Sequence, residues 1–265
     1  MHDTLYSLIE RALNGNPRPL EFYLRNNSRL PGPRANLELA NDLSYLLASS
    51  VPRYAESVHQ LVAYFTTNEH KIITSNTPGE FLMLCGIIAA GACAAVKPEW
   101  RNETRHMLSH FAGSPYWRLR EGVAMAFQHL LTADQQETIA HLMNLASEGS
   151  SLQQRAVLAT ISEPPILCAP EIVKAALAFH RIVLNHIRAV PLAERKNEEF
   201  RILRRALGYT LSVVTAAAPD EGFALMRECA TWNDQDIAWA LRENLKKKRL
   251  AKFAQDAAGI AKLLA

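Results

Sequence analysis

The sequence lacks the patterns that mark most nucleophilic enzymes, nucleotide sites and β-sheets. Among its 265 residues there is no Gly-x-Ser-x-Gly, no P-loop and no Gly-x-Gly-x-x-Gly, so none of these common sites is indicated. No segment alternates polar and apolar residues over the length of a strand, so no strands are expected. The 11 glycines and 13 prolines are ordinary numbers, and 49% of the residues are apolar. That is enough apolar material for a packed core.

Cysteine is also scarce, and no pair has the C-x-x-C spacing. The four cysteines each lie in an apolar stretch: Cys85, Cys93, Cys168 and Cys229. We therefore expect reduced, buried thiols in a cytoplasmic protein.

No basic leader precedes an apolar run at the start, so no export signal is expected. The longest uncharged stretch, residues 81–96, is short for a bilayer and predicts a buried helix rather than a membrane segment.

Prolines mark the expected beginnings of helices. Six of them precede stretches of helical apolar periodicity: Pro52, Pro78, Pro98, Pro115, Pro170 and Pro219. Acidic residues follow several of them closely, as expected at the positive end of a helix dipole. Because this pattern recurs along the whole chain, the sequence predicts an all-α protein.

A five-residue pattern recurs along the chain and predicts how the helices are arranged. Trp-x-Leu-Arg-Glu occurs at residues 117–121 and again at 239–243, and weaker copies carry Arg155 and Arg204 between them. The separation accommodates repeats of about 40 residues, with a loop insertion expected at residues 191–199. We therefore expect a single domain over residues 1–265, a right-handed α-solenoid of about six HEAT-like helical pairs.

Residues 114–124, with Phe127 and Gln128, resemble a HEAT-like repeat, and specifically the repeats of the bacterial alkylpurine DNA glycosylases. The resemblance implies a groove that holds duplex DNA by its phosphates, and a Trp and Asp one turn apart that serve base excision. Counting back along the chain places that pair at Phe81 and Cys85, where the carboxylate is missing. Trp232 and Asp236 have the spacing but lie in another repeat, and Asp236 is expected to be a helix-start residue.

Two interpretations of the repeated tryptophans and arginines remain open. Arginines from successive repeats could line one continuous concave surface and contact phosphates, or they could bond loop carbonyls and carboxylates such as Glu121, Glu163 and Glu243. The candidate residues for binding nucleic acid or a partner are Trp117, Arg120, Arg155, Arg204, Trp239, Arg242 and Lys246.

The net charge of +3 is concentrated near the C-terminus. Residues 194–252 hold twelve Lys and Arg against nine Asp and Glu, and residues 246–249 are all basic. Such a run is either a phosphate-contacting patch or a solvated helix C-terminus.

Glu103, His106 and His110 share a helix face that a metal could use, but no second ligand set is visible, so no metal or other cofactor is expected.

Three classes of function follow from these patterns. The first is a non-catalytic HEAT-like repeat protein that contacts duplex DNA phosphates, and the second is a scaffold for a partner protein. The third is an active alkylpurine DNA glycosylase. The missing carboxylate at Cys85 favours a protein with no catalytic residues, and phosphate contacts would make DNA affinity fall steeply with salt.

Overall fold

A computed structural model of the protein describes residues 2–67 and 74–265. All regular structure in these ranges is helical, which confirms the all-α prediction. The α-helices are α1 (His2–Leu13), α2 (Arg18–Asn26), α3 (Leu37–Thr66), α4 (Pro78–Val96), α5 (Arg101–Ala112), α6 (Trp117–Ala133), α7 (Gln135–Glu148), α8 (Ser151–Ile161), α9 (Pro170–Ala189), α10 (Glu198–Ala217), α11 (Pro219–Ala230), α12 (Gln235–Leu245) and α13 (Ala254–Leu263). Short 3₁₀ helices are Pro98–Trp100, Glu194–Lys196 and Lys248–Phe253.

Most of the prolines begin helices as expected. Five lie at or just before a helix start: Pro78, Pro98, Pro115, Pro170 and Pro219. The sixth, Pro52, lies inside the range of α3, where two helical segments meet at a kink: Tyr54 leaves helical geometry with φ −130° and ψ 38°. The second segment begins soon after Pro52, so this proline also precedes a helical stretch.

The chain forms two compact units, residues 1–138 and residues 139–265, here called the N-terminal and C-terminal units. In the N-terminal unit α4 packs against α3 and α6, and α2 and α5 also contact it. Every residue from Glu80 to Ala94 is buried, which confirms the buried helix predicted from the uncharged stretch. By length and hydropathy α4 could also cross a membrane, but 83% of its most apolar window lies inside the fold.

Gly91 sets the spacing between α4 and α6. A Cβ atom at this position would lie 2.5 Å from the Cα and carbonyl oxygen of Ala126. Because the obstacle is backbone, no side-chain rotation could relieve the contact, and α4 or α6 would have to shift. The absence of a side chain at Gly91 therefore permits the close helix crossing that covers α4.

In the C-terminal unit α10 is the central helix. It packs on α8 and α12 and also contacts α9 and α11, while α13 packs on α11. Phe200, Leu203, Leu207 and Leu211 of α10 are buried in one apolar cluster with residues of these neighbours. The connection from α9 to α10 carries the 3₁₀ helix Glu194–Lys196, so a loop lies where one was expected, although Glu198 and Glu199 already belong to α10.

Candidate functional site

The N-terminal copy of the pattern lies at the start of α6 and holds a buried ion pair. Trp117 is the first residue of α6, 45% exposed, with the guanidinium of Arg118 4.6 Å from its ring centroid. Arg118 Nη1 donates to Glu80 Oε2 of α4 at 3.1 Å, and both residues are buried. This pair therefore joins the first turns of α4 and α6 inside the fold.

The same pair also holds two connecting segments. Arg118 Nη2 donates to the carbonyl of Gly32 at 2.8 Å and to Asn76 Oδ1 at 3.2 Å. The Asn76 N–H donates to Glu80 Oε2 at 2.7 Å. Among the described residues, Glu80 Oε1 and Arg118 Nε have no hydrogen-bond partner. Buried polar atoms without partners lower stability, so this cluster depends strongly on the contacts that remain.

Arg120, the arginine that the pattern singles out, is 4% exposed. Its Nη1 donates to the carbonyl of Ser114 at 2.5 Å, just before α6. Val123 and Phe127 of the same helix are fully buried. Arg120 therefore holds the turn between α5 and α6, which is the loop-carbonyl interpretation, and offers no exposed guanidinium to a phosphate.

The second copy of the pattern lies in a different helical position. Trp239 is the fifth residue of α12, and the guanidinium that stacks on it, 3.9 Å from the ring centroid, belongs to Arg204 of α10. Arg204 Nε lies 2.7 Å from Asp236 Oδ1, which is itself in the first turn of α12. The prediction that Asp236 is a helix-start residue is confirmed. Here the tryptophan, arginine and carboxylate join two neighbouring helices, as in the N-terminal unit.

Arg195 completes this second cluster from the loop before α10. Its Nη1 lies 2.8 Å from Asp234 Oδ2 and 2.9 Å from Asp236 Oδ2, and its other nitrogens donate to the carbonyls of Val190 and Arg188. Burial opposes the charge, but the hydrogen bonds to Asp236 and Asp234 outweigh it and raise the pKa of Arg195. Asp234 also caps α12 through the N–H groups that follow it.

Sequence reasoning missed Arg118 and Arg195, the two most enclosed cations of these clusters. Arg118 occupies the variable position of Trp-x-Leu-Arg-Glu, where the second copy has Ala240. Arg195 lies in the segment expected to be a loop insertion. The available signal was the pair Asp234 and Asp236 at the start of a helix, because two carboxylates so close require a cation when they are partly buried.

The remaining candidate residues are less enclosed. Arg155 is half-buried on α8, and exposed Arg242 donates from Nη2 to the carbonyl of Leu264. Lys246 is exposed and lies 2.6 Å from Glu243 Oε1, and this hydrogen bond lowers the pKa of Glu243. The arginines of the repeated pattern therefore differ widely in exposure, from buried Arg120 to exposed Arg242.

The largest local excess of positive charge lies just after α12. Five of the seven residues from Lys246 to Lys252 are basic, and none is acidic. We call residues 246–252 the basic segment. All its cations but one are exposed, the exception being Lys247, which is half-buried. The C-terminal unit holds 17 Lys and Arg against 13 Asp and Glu, whereas the N-terminal unit holds 12 against 13.

The positions matched to the glycosylase pair lie in the core. Phe81 and Cys85 of α4 are both fully buried, and burial raises the pKa of the Cys85 thiol far above its usual range. A neutral, enclosed thiol has neither the charge nor the access needed to stabilise a cationic transition state.

Two of the candidate metal ligands on α5, Glu103 and His110, contact other side chains. Glu103 Oε2 lies 3.4 Å from His59 Nε2 of α3, and the His110 ring packs edge-on against Phe111. Within the described parts of the chain, no group of three or more His, Cys, Asp or Glu side chains is placed to hold a metal ion.

No protein-family model matches this sequence, and no curated protein matches it either.

Proposed function

We propose that the chain is a non-catalytic HEAT-like repeat protein, a right-handed α-solenoid of about six helical pairs that binds duplex DNA phosphates in the cytoplasm. Helix packing within each unit supports the repeat architecture. Consecutive even-numbered helices contact one another, α2, α4 and α6 in one unit and α8, α10 and α12 in the other. Repeats that bury their apolar faces only against neighbours pack in this way.

The basic segment carries the proposed DNA contact. It places five cations within seven residues. Of these five, Lys246 alone lies at ion-pair distance from a carboxylate of the described residues, that of Glu243. Exposed lysine and arginine side chains bind phosphates by releasing condensed counterions, without a shaped pocket. In this proposal Arg120 and Arg204 of the repeated pattern do not contact DNA. Arg120 holds the turn before α6, and Arg204 joins α10 to α12.

The alternative is a scaffold that binds another protein. Three large side chains of the N-terminal unit favour it, because they are more than half exposed: Tyr6, Phe22 and Tyr45. Exposed aromatic side chains are common at protein interfaces. An interface of this kind would be nearly insensitive to salt, which separates the two functions.

The test is a salt titration of duplex DNA binding. Lys248→Ala combined with Arg249→Ala should lower the slope of log affinity against log salt by about 2, because each lost phosphate contact removes about 0.9. The matched control, Lys174→Ala with Lys196→Ala, removes two other exposed cations of the same unit and should leave the slope unchanged.

A second pair of substitutions separates the basic segment from the repeated arginines. Arg155→Ala with Arg204→Ala should lower the melting temperature and keep the salt slope of the unmodified protein. Salt-insensitive binding, or a slope that Lys248→Ala with Arg249→Ala does not change, would reject the proposed DNA contact. Release of alkylated purines from duplex DNA would reject the non-catalytic assignment.

A further inference from the structure

A pocket of about 310 Å³ opens in the N-terminal unit between the second half of α3 and α5. α4 forms its floor with Ala90 and Cys93, beside Val62 of α3 and Phe111 of α5. These α4 residues follow Glu80 by ten and thirteen positions, about 15–20 Å along the helix. The pocket is therefore separate from the buried ion pair, and its volume is in the range that small-molecule sites occupy.

The mouth of the pocket combines aromatic rings with one carboxylate. The ring of Trp100 lies 5.0 Å from the ring of His59, and His59 Nε2 lies 3.4 Å from Glu103 Oε2. The side chain of Glu103 is 71% exposed, so a ligand at the mouth can reach its oxygens. No Lys or Arg is among the described residues that line the pocket.

Two cations near the pocket, among the described residues, are held by other groups. Lys97 lies 3.5 Å from Glu99, and Arg101 donates to the carbonyls of Ala94 and Ala95. On the floor, burial raises the pKa of the Cys93 thiol to about 12, so this group is neutral at physiological pH. The pocket therefore joins an apolar floor to an electronegative, aromatic mouth.

We propose that this pocket binds a small organic cation, an ammonium group carried on a compact apolar body. The ammonium would donate to the Glu103 carboxylate and lie over the face of Trp100, which attracts cations through its ring quadrupole. The apolar body would cover Ala90, Cys93 and Phe111, where each buried carbon adds affinity. An anion of the same size would lie against the Glu103 carboxylate, with no Lys or Arg among the described lining residues to attract it.

Three probes that differ in charge test this assignment on the full chain by ligand-observed NMR or calorimetry. They are 2-phenylethylammonium, the neutral 2-phenylethanol and the anionic 3-phenylpropanoate. The ammonium should bind with a Kd of about 1 mM or tighter, as a molecule of this size can achieve in a formed pocket. The alcohol should bind about 10-fold more weakly, the difference attributable to one charged contact, and the anion should not bind measurably.

Two substitutions locate the binding. Glu103→Gln should weaken ammonium binding about 10-fold and leave alcohol binding unchanged, whereas Glu99→Gln, a neighbouring carboxylate outside the pocket lining, should change neither. Ala63→Leu extends a side chain of the pocket wall and should abolish binding of both probes. Equal affinity for ammonium and alcohol, no saturable ammonium binding, or binding that survives Ala63→Leu in a folded protein would overturn the proposal.

Discussion

Both units join neighbouring helices with tryptophan, arginine and carboxylate side chains, but the N-terminal unit relies on one buried ion pair and the C-terminal unit on a larger ion-pair network. In the N-terminal unit Arg118 and Glu80 form a pair enclosed by the fold, and each keeps one buried atom without a hydrogen-bond partner among the described residues. In the C-terminal unit Asp236 lies at ion-pair distance from both Arg195 and Arg204, and every nitrogen of Arg195 has an acceptor, although Arg204 Nε forms no hydrogen bond of good geometry among the described residues. A single buried pair depends on both of its members, whereas a network distributes the same charges over several contacts.

The largest expected effect follows from removing one member of the buried pair. Arg118→Met keeps an unbranched apolar stem but removes the guanidinium, so the Glu80 carboxylate is left buried without a cation. It should lower the free energy of unfolding by about 3–5 kcal/mol, measured by urea denaturation at pH 7. Combining it with Glu80→Gln removes both charges, and the double variant should be more stable than Arg118→Met alone. A loss from Arg118→Met below about 1 kcal/mol, the range of exposed ion pairs, would contradict this account.

The second prediction concerns acid and the C-terminal unit. His180 of α9 is fully buried, with Nδ1 2.7 Å from the Ala176 carbonyl and Nε2 3.0 Å from the Thr210 hydroxyl. Burial lowers its pKa from 6.5 to about 4, so the folded protein holds it neutral. Its stabilising contribution should be complete above pH 6.5 and be lost as the pH falls toward 4, because the unfolded chain takes up the proton first.

The expected loss is about 2–3 kcal/mol between pH 7 and pH 4.5, again measured by urea denaturation at the two pH values. His180→Leu should remove this part of the pH dependence whatever its effect at pH 7. In the N-terminal unit burial also lowers the pKa of His129, so His129→Leu is the comparison variant. If His129→Leu removed more of the acid sensitivity than His180→Leu, the assignment to the C-terminal unit would be wrong.

The smallest effect is expected within the network. Asp236→Asn removes one carboxylate, but Asp234 still lies 2.8 Å from Arg195 Nη1 and still caps α12. The loss should be about 1–2 kcal/mol, between that of the buried pair and that of an exposed pair. Asp256→Asn, which removes an exposed partner of Arg227, is the control and should change stability by less than about 0.5 kcal/mol. A loss from Asp236→Asn as large as that of Arg118→Met would remove the distinction between the units.

The sequence predicted the helices well because their signals are local. Proline at a first helical position and a carboxylate soon after it act within one turn, and five of the six prolines lie at or just before the start of a separate helix. Pro52 lies just before the kink at which two helical segments of α3 meet, and whether such a junction bends one helix or separates two depends on the packing of the following turns. The uncharged run in α4 was also sufficient to predict its burial.

The contacts of the candidate residues could not be predicted in the same way. Two identical five-residue patterns gave Trp117 a partner beside it in sequence and gave Trp239 a partner on another helix. Trp117 begins its helix, whereas Trp239 is one turn inside its own, so equal spacing did not produce equal surroundings. Which carboxylate meets which arginine depends on neighbouring helices, and that information is absent from a short motif.

The burial of α4 has a consequence for how the protein is made. Its cover comes from α3, which precedes it, and from α6, which ends at Ala133. On the ribosome, one side of a 19-residue apolar helix therefore stays uncovered until about 40 further residues have been synthesised, roughly 2–8 s at ordinary rates. During that interval α4 is an apolar segment long enough to cross a membrane, and its burial is complete only once α6 packs against it.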